Sequence, residues 1–138
     1  MGMYTEIYVN VDFKPNTPQH ILDTVRCVTG DIEVDSERFN ELMEDKPSRF
    51  AWLFHNMSYY TPSTCVAKLT KDKYTGDYSL IGKGDIKNYS SDIEAFFELI
   101  KPHVEDRFMG YMRYEESDEP VLMYAYDKEF DTEAYYRT

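Results

Sequence analysis

The residues of this chain that could do chemistry are mainly carboxylates and tyrosines. The densest group is the segment Arg113–Glu119, in which one cation and one aromatic ring lie beside four acids. Such a cluster could serve acid–base catalysis, or it could form a recognition edge that binds another molecule. No second motif supplies a matching base, nucleophile or cofactor loop, so we predict binding rather than enzymatic activity. The predicted binding residues in this segment are Arg113, Tyr114, Glu115 and Glu116.

Tyrosine is the other abundant functional side chain, with 13 copies in the chain. Tyrosine is enriched at interfaces because it presents a large rigid ring together with a hydroxyl group. Tyr59 and Tyr60 are adjacent and are therefore predicted binding residues. A sheet face carrying Tyr4 and Tyr8 could equally hold a packed helix or a homodimer contact.

No metal or cofactor motif is complete. The segment Asp31–Asp35 has three carboxylates at alternate positions, like the start of a calcium loop, but Ser36 and Leu42 stand where an EF-hand needs Gly and Glu. The histidines and the two cysteines, Cys27 and Cys65, lack zinc-site spacing. We expect no metal, no cofactor and two free thiols.

A short glycine motif could be mistaken for a phosphate-binding loop. Gly82-Lys83-Gly84 lacks a third glycine, a Lys-Ser/Thr pair and a helix directly after it. We interpret Gly82 and Gly84 as room for close packing, or as a bulge beside an aromatic ring.

The charge balance restricts the kind of partner. The chain has 26 Asp and Glu against 15 Lys and Arg, a formal net charge of −11. Nucleic-acid phosphate and anionic membranes repel such a chain, whereas a basic protein surface attracts it. No apolar run reaches the roughly 18 residues of a membrane helix, and Met1–Glu6 lacks the features of a secretion signal. We expect a cytoplasmic protein that binds neither nucleic acid nor membrane directly.

The aromatic content shows that this acidic chain should fold. It includes 8 Phe and one Trp besides the tyrosines, and each buried ring offsets part of the conformational entropy lost on folding. A length of 138 residues fits one domain. We predict a single domain over 1–138, with 127–138 as a tail or an edge element.

The first half of the chain predicts a strand followed by helices. Apolar and polar residues alternate from Tyr4 to Phe13, which is typical of a half-buried strand. Thr17 is the predicted cap of a helix that ends at Gly30, and Ser36 is the predicted cap of a second short helix. The segment Arg49–His55 is ambiguous, but its aromatics recur at every second position, which favours a strand.

The second half predicts two hairpins around one helix. Ser63–Thr70 and Tyr78–Asp85 form the first hairpin, and Phe108–Glu115 and Val121–Tyr126 form the second. Between them Ser91, with Glu94 at capping-box spacing, begins the clearest helix. The predicted fold is α+β: a mostly antiparallel sheet of about five to six strands with two main helices packed on one face.

Several segments together resemble a family of small, functionally uncharacterised proteins carried by bacteriophages and related mobile elements. In that family an LKNY stretch precedes a helix, and a GYxRYEExxEPxLIY hairpin follows it. The corresponding segments here are Asp85–Tyr89, Ile93–Pro102, Gly110–Glu116 and Glu119–Tyr124, with departures at Ile86 and Met123. The match covers mainly the second half, plus Arg49–Tyr60. The resemblance implies a phage-type accessory protein acting in the bacterial cytoplasm, and it implies no catalytic residues.

Three functions follow as hypotheses. The first is a non-enzymatic accessory protein that contacts a host protein with a basic surface and could inhibit a host defence factor. The second is a binder of a nucleotide-like anion, with Arg49, Lys87 or Arg113 gripping the ligand. The third is an enzyme that uses the carboxylates of the Arg113–Glu119 segment, which requires a cleft and a raised carboxylate pKa.

Overall fold

The computed structural model describes residues 4–31, 33–54 and 66–126. The predicted binding residues Tyr59 and Tyr60, and the predicted tail or edge element at 127–138, lie outside the described residues. So does Cys65, whereas Cys27 is a buried free thiol.

The described chain forms an open five-stranded antiparallel sheet, which confirms the predicted α+β class. The strand order across the sheet is β2-β3-β1-β4-β5. The first strand therefore lies at the centre, and each of the two hairpins extends the sheet on one side of it. The strands are β1 (Thr5–Asp12), β2 (Val66–Lys71), β3 (Tyr78–Ile86), β4 (Phe108–Tyr114) and β5 (Val121–Tyr124).

Three α-helices accompany the sheet in the described ranges. They are α1 (Gln19–Val28), α2 (Ser36–Met43) and α3 (Asp92–Ile100), with 3₁₀ helices at Phe50–Trp52 and Lys101–His103. Helices α1 and α3 bury an apolar stripe, whereas α2 has no fully buried residue. None of the described helices is long and apolar enough to cross a membrane.

The core lies between the helices and one face of the sheet. On β1 the alternate side chains Ile7, Val9 and Val11 are almost completely buried, as the period of two predicted. They belong to one apolar cluster with residues of both main helices, including Val25 and Phe96. The opposite side chains of β1 therefore point away from the helices.

The segment beginning at Arg49 was predicted to be a strand, and that prediction is wrong. Phe50–Trp52 is a 3₁₀ helix, and the buried residues are Phe50, Leu53 and Phe54, while Trp52 is 53% exposed. A spacing of three and four places these side chains on one face of a helical turn, whereas a strand would bury Trp52 together with Phe50 and Phe54. Contacts of Phe50 and Phe54 with the Phe96 ring, at centroid distances of 5.9 and 5.5 Å, hold the turn in place.

The two glycines of β3 make room for this turn, as the sequence predicted. A Cβ atom at Gly82 would lie 2.5 Å from the Phe54 ring, and one at Gly84 would lie 2.7 Å from the Phe54 Cα atom and would overlap the Leu53 carbonyl oxygen. The backbone of the turn therefore packs directly on the sheet.

Two predicted helix caps are also wrong, and a third holds the predicted N-cap position without making a side-chain capping bond. Pro18 is the N-cap of α1, and the Thr17 hydroxyl instead donates a hydrogen bond to the carbonyl oxygen of Lys14. Asp35 caps α2 by accepting a hydrogen bond from the backbone N–H of Arg38, so Ser36 is already inside the helix. Asp and Ser are both good caps, and local sequence does not choose between neighbours.

The third cap is at α3. Ser91 holds the N-cap position with a left-handed backbone (φ 57°) and makes no side-chain capping bond. Asn88 caps the helix instead: its Oδ1 accepts from the Ile93 N–H at 2.9 Å, and its Nδ2 donates to Glu94 at 2.6 Å. The turn between Asn88 and Ser91 brings the amide back over the helix end.

Candidate functional site

The sheet face opposite the core is the candidate functional site, and we call it the open face. No described helix packs on it, since the alternate side chains that point away from the core are half-buried or exposed along much of the sheet. Its members are defined by strand register, because residues directly opposite each other on paired strands share a face. The residues used below are Glu6, Tyr8, Val66, Ile81, Lys83, Asp85, Tyr111, Arg113 and Leu122.

One row of side chains on the open face crosses all five strands. Its order is Val66, Lys83, Tyr8, Tyr111 and Leu122. The rings of Tyr8 and Tyr111 stack at the centre with centroids 5.4 Å apart and an interplanar angle of 27°. Val66 and Leu122 end the row and are 39% and 47% exposed. The row is therefore an aromatic and aliphatic strip with one cation.

A charged row lies next to this strip. Asp85, Glu6 and Arg113 are directly opposite one another on three neighbouring strands. Glu6 is the hub, because its carboxylate accepts a hydrogen bond from the Tyr111 hydroxyl at 3.0 Å and has Lys83 Nζ at 3.7 Å and Arg113 Nε at 3.9 Å. The two cations offset the Glu6 charge, and the Tyr111 hydroxyl adds a hydrogen bond.

Asp85 is the member of the charged row whose ionisation is disfavoured. Burial raises the pKa of its carboxyl group above the ordinary value, and the nearby negative charges of Glu6 and Glu115 raise it further, against the opposing effect of Arg113 and Lys83. Burial likewise raises the pKa of the Tyr111 hydroxyl, aided by its hydrogen bond to Glu6. This end of the open face thus collects more negative charge than its cations neutralise.

The other end of the open face is also acidic. Asp12 at the end of β1 lies beside a depression of about 210 Å³ that is also lined by Asp72, Asp77 and Glu105. Within the described ranges, no group of Asp, Glu, His or Cys side chains is arranged to hold a metal ion. Carboxylates therefore lie beyond the strip at both ends of the open face, with Ile81 and Lys68 between the strip and Asp12.

The predicted binding segment does not form one patch. Arg113 is on the open face, whereas Tyr114 pairs with Thr5, whose side chain points to the helix side. Consecutive strand residues alternate between faces, which separates them. Glu115 lies near enough to Asp85 to affect its pKa, and Glu116 is exposed in the turn.

The carboxylates proposed for catalysis have no enclosed surroundings. Glu115, Glu116 and Asp118 are all exposed, whereas the described carboxyl group with a raised pKa is that of Asp85 on β3. These three carboxylates therefore lack the enclosed cleft that the enzyme hypothesis requires.

The sequence prediction missed most of the open face. Tyr8 and Glu6 were predicted to lie on the same outward face of the first strand, but Lys83, Asp85 and Tyr111 were not linked to them. The alternation along each predicted strand indicates which of its side chains share a face. Joining them required the strand pairing, which local patterns do not contain.

The cations proposed to grip an anion are dispersed. Arg49 lies over the Tyr89 ring at 5.4 Å, and Lys87 lies over the Tyr4 ring at 5.7 Å. A separate groove of about 400 Å³ lies between α1 and β2. Its lining residues include Arg26, Thr29, Asp31, Lys68, Lys71 and Tyr78.

Comparisons with known proteins identify no relative. No family model, no curated protein and no solved structure matches the chain. The resemblance to phage-borne proteins stays a prediction that rests on the sequence motifs alone.

Proposed function

We propose that this chain is a non-enzymatic binding protein that acts by protein–protein contact through its open face. The single observation that supports this most is the row from Val66 to Leu122, with the stacked Tyr8 and Tyr111 at its centre. Aromatic centres with charged rims are typical of protein interfaces. Tyrosine also loses little conformational entropy when it is already stacked against a neighbour.

The partner we propose is a protein with a basic surface. The strip, in which Lys83 is the one charged member, has Asp85, Glu6 and Glu115 on one side and Asp12 further away on the other, and the whole chain carries −11. A partner with an apolar centre and lysine or arginine on both sides of it would complement this pattern. Electrostatic attraction would mainly raise the association rate.

The biological setting comes from the phage resemblance. We propose a phage-type accessory protein in the bacterial cytoplasm, whose partner is a host factor that it inhibits, such as a defence protein. A defence nuclease is the sharpest form of this proposal, because nucleases carry basic surfaces for nucleic acid.

The experiment begins with purification of partners from a bacterial lysate on the tagged protein at low and high salt. A partner identified by mass spectrometry is then purified, and its affinity and association rate are measured against ionic strength. We expect a basic partner whose association slows steeply with salt, since a Debye length of about 8 Å at 0.15 M screens exposed charges. A salt-insensitive association would contradict the electrostatic part.

Two matched variants test the contact surface itself. Ile81→Arg adds a cation to the open face, where Ile81 is 40% exposed, and Tyr74→Arg adds the same cation to a loop position that is 94% exposed. Both change the net charge equally, so both reduce long-range attraction to the same extent. We expect only Ile81→Arg to weaken binding by about tenfold or more, equivalent to about 1.4 kcal/mol. Equal effects would place the contact elsewhere.

Binding of a nucleotide-like anion is a second proposal, supported by the groove between α1 and β2. Lys71 lies over the Tyr78 ring at 5.6 Å, so a cation and an aromatic face occur together. Arg26 is already paired with Asp31 at 2.8 Å, which weakens its attraction for a ligand. A nucleotide panel should raise the melting temperature of the wild type but not of Lys71→Ala. If no nucleotide raises the melting temperature of the wild type, this second proposal is refuted.

A further inference from the structure

The edge strand β5 differs in charge from every other strand. Its sequence, Val121-Leu122-Met123-Tyr124, has no charged residue, whereas the other four described strands each contain at least one. The opposite edge, β2, carries Lys68 and Lys71. Lysine on an edge strand discourages pairing with another chain, so β2 is protected and β5 is not.

The backbone of β5 has a free side in the described part of the chain. The Ala125 N–H donates a hydrogen bond towards β4, to the Arg107 carbonyl oxygen at 2.7 Å. Backbone groups of successive strand residues point to alternate sides. The N–H and C=O groups of Leu122 and Tyr124 therefore point away from β4, along the open edge of the sheet.

Exposed apolar side chains concentrate around this edge. Val121 and Leu122 are 54% and 47% exposed, and the neighbouring Phe108 and Tyr126 are 42% and 44% exposed. An uncharged edge whose outward backbone groups have no partner among the described residues, with apolar side chains on both faces, is suited to receive another strand.

We propose that β5 pairs antiparallel with β5 of a second copy of this chain, which joins the two sheets into one. Such a two-fold contact is self-complementary, since each copy supplies the same strand. The register that pairs Leu122 with Tyr124 of the second copy uses the outward backbone groups of both residues. Pairing β2 edges in the same way would bring the lysines of the two copies together.

Among the described strands, β5 is the one at which a second copy would meet the least charge repulsion. Two chains of net charge −11 repel each other, so they can approach closely only where charge is absent.

Salt dependence separates this dimer from the proposed partner contact. Salt screens the repulsion between two acidic copies, so self-association should strengthen with ionic strength. Binding to a basic partner should weaken with ionic strength for the same reason. The opposite salt dependences therefore allow the dimer and the partner contact to be tested separately.

The test is sedimentation equilibrium of the full chain over a wide concentration range at low and high salt. We expect a species of twice the 16.4 kDa chain mass, favoured by high salt. Val121→Lys places a charge on the β5 edge, and Val66→Lys places the same charge on the β2 edge, at another partly exposed valine. Only Val121→Lys should abolish the dimer.

Leu122→Pro provides a second, independent variant. Proline removes a backbone N–H that points outward, so it should block pairing with a second copy and leave the ladder to β4 intact. Circular dichroism checks that each variant is folded. A chain that is monomeric under all conditions overturns the proposal, and so does a dimer that survives Val121→Lys and Leu122→Pro.

Discussion

The hydroxyl group of Tyr111 donates a hydrogen bond to the Glu6 carboxylate at 3.0 Å, linking β4 to β1 on the open face. The same ring stacks on Tyr8, which is two residues from Glu6 along β1. Tyr111 therefore joins the aromatic strip to the charged row. Its orientation is set by a ring contact and a hydrogen bond together, which favours one arrangement of the surface before any partner binds.

The first prediction concerns this hydrogen bond. Tyr111→Phe keeps the ring stack and removes the donor to Glu6, so we expect a loss of about 1 kcal/mol in the free energy of unfolding, measured by urea denaturation. Tyr8→Phe is the matched control, because the Tyr8 hydroxyl only accepts a longer hydrogen bond of 3.3 Å from exposed Asn10. A larger loss in Tyr8→Phe would contradict the role assigned to Tyr111.

The second prediction concerns Gly84, whose Cβ position is occupied by the backbone of Leu53 and Phe54. Gly84→Ala should destabilise the protein by about 3 kcal/mol, because backbone cannot move aside as a flexible side chain can. Gly30→Ala separates this steric effect from conformational strain, since Gly30 has φ +79° and no atom within 4 Å of its Cβ position. We expect a loss of only about 1 to 2 kcal/mol there. Thermal and urea unfolding of both variants measure the difference.

The third prediction concerns the cap of α3. Asn88→Ala should cost about 1 kcal/mol, because the Ile93 N–H loses its acceptor. Ser91→Ala should change stability little, since the Ser91 side chain makes no capping bond, and Ser91→Gly should stabilise the protein by relieving its left-handed backbone. Chemical denaturation of the three variants gives the order of their free energies of unfolding. If Ser91→Ala proved the most harmful, the cap would be the one predicted from sequence.

The fourth prediction concerns pH. The folded protein binds the Asp85 proton more tightly than the unfolded chain does, because the pKa of Asp85 is raised above 3.8. Ionising Asp85 therefore lowers the free energy of unfolding as pH rises through the range between 3.8 and the raised pKa. Asp85→Asn stays neutral, so its stability should exceed that of the wild type increasingly across this range and then by a constant amount.

The measurement for Asp85 is urea unfolding of wild type and variant from acidic to neutral pH. Asp118→Asn, at an exposed turn position, makes the same chemical change away from the open face and controls for net charge. A wild type that is more stable than Asp85→Asn at neutral pH would show that the Asp85 carboxylate has a stabilising partner instead.

Local sequence patterns were sufficient to predict most of the helices and strands. The alternation along β1 and the apolar stripes of α1 and α3 predicted both the elements and their buried sides, because side-chain direction repeats with a fixed period along a chain. The glycines of β3 were correctly read as room for close packing. The sequence did not predict that the turn containing Leu53 and Phe54 packs on these glycines.

The errors occurred where local alternatives were similar and the folded backbone or a distant contact decided between them. Phe50 and Phe54 suit a strand as well as a helical turn, and packing against Phe96 selected the turn. Asn88 and Ser91 are both good caps, and the left-handed turn at Ser91 selected Asn88. In both cases competing conformations have similar local energies, so the conformation of the folded chain decides.

The sequence by itself determined an acidic, aromatic-rich α+β domain whose strands and main helices are visible as periodic patterns. Only the tertiary structure decided that Glu6, Asp85 and Arg113 share a row, that Tyr8 stacks on Tyr111, and that Tyr114 points to the other face. The physical reason is that periodicity is a property of neighbours along the chain. Strand order and register depend on contacts between residues far apart in sequence, whose energies no local pattern contains.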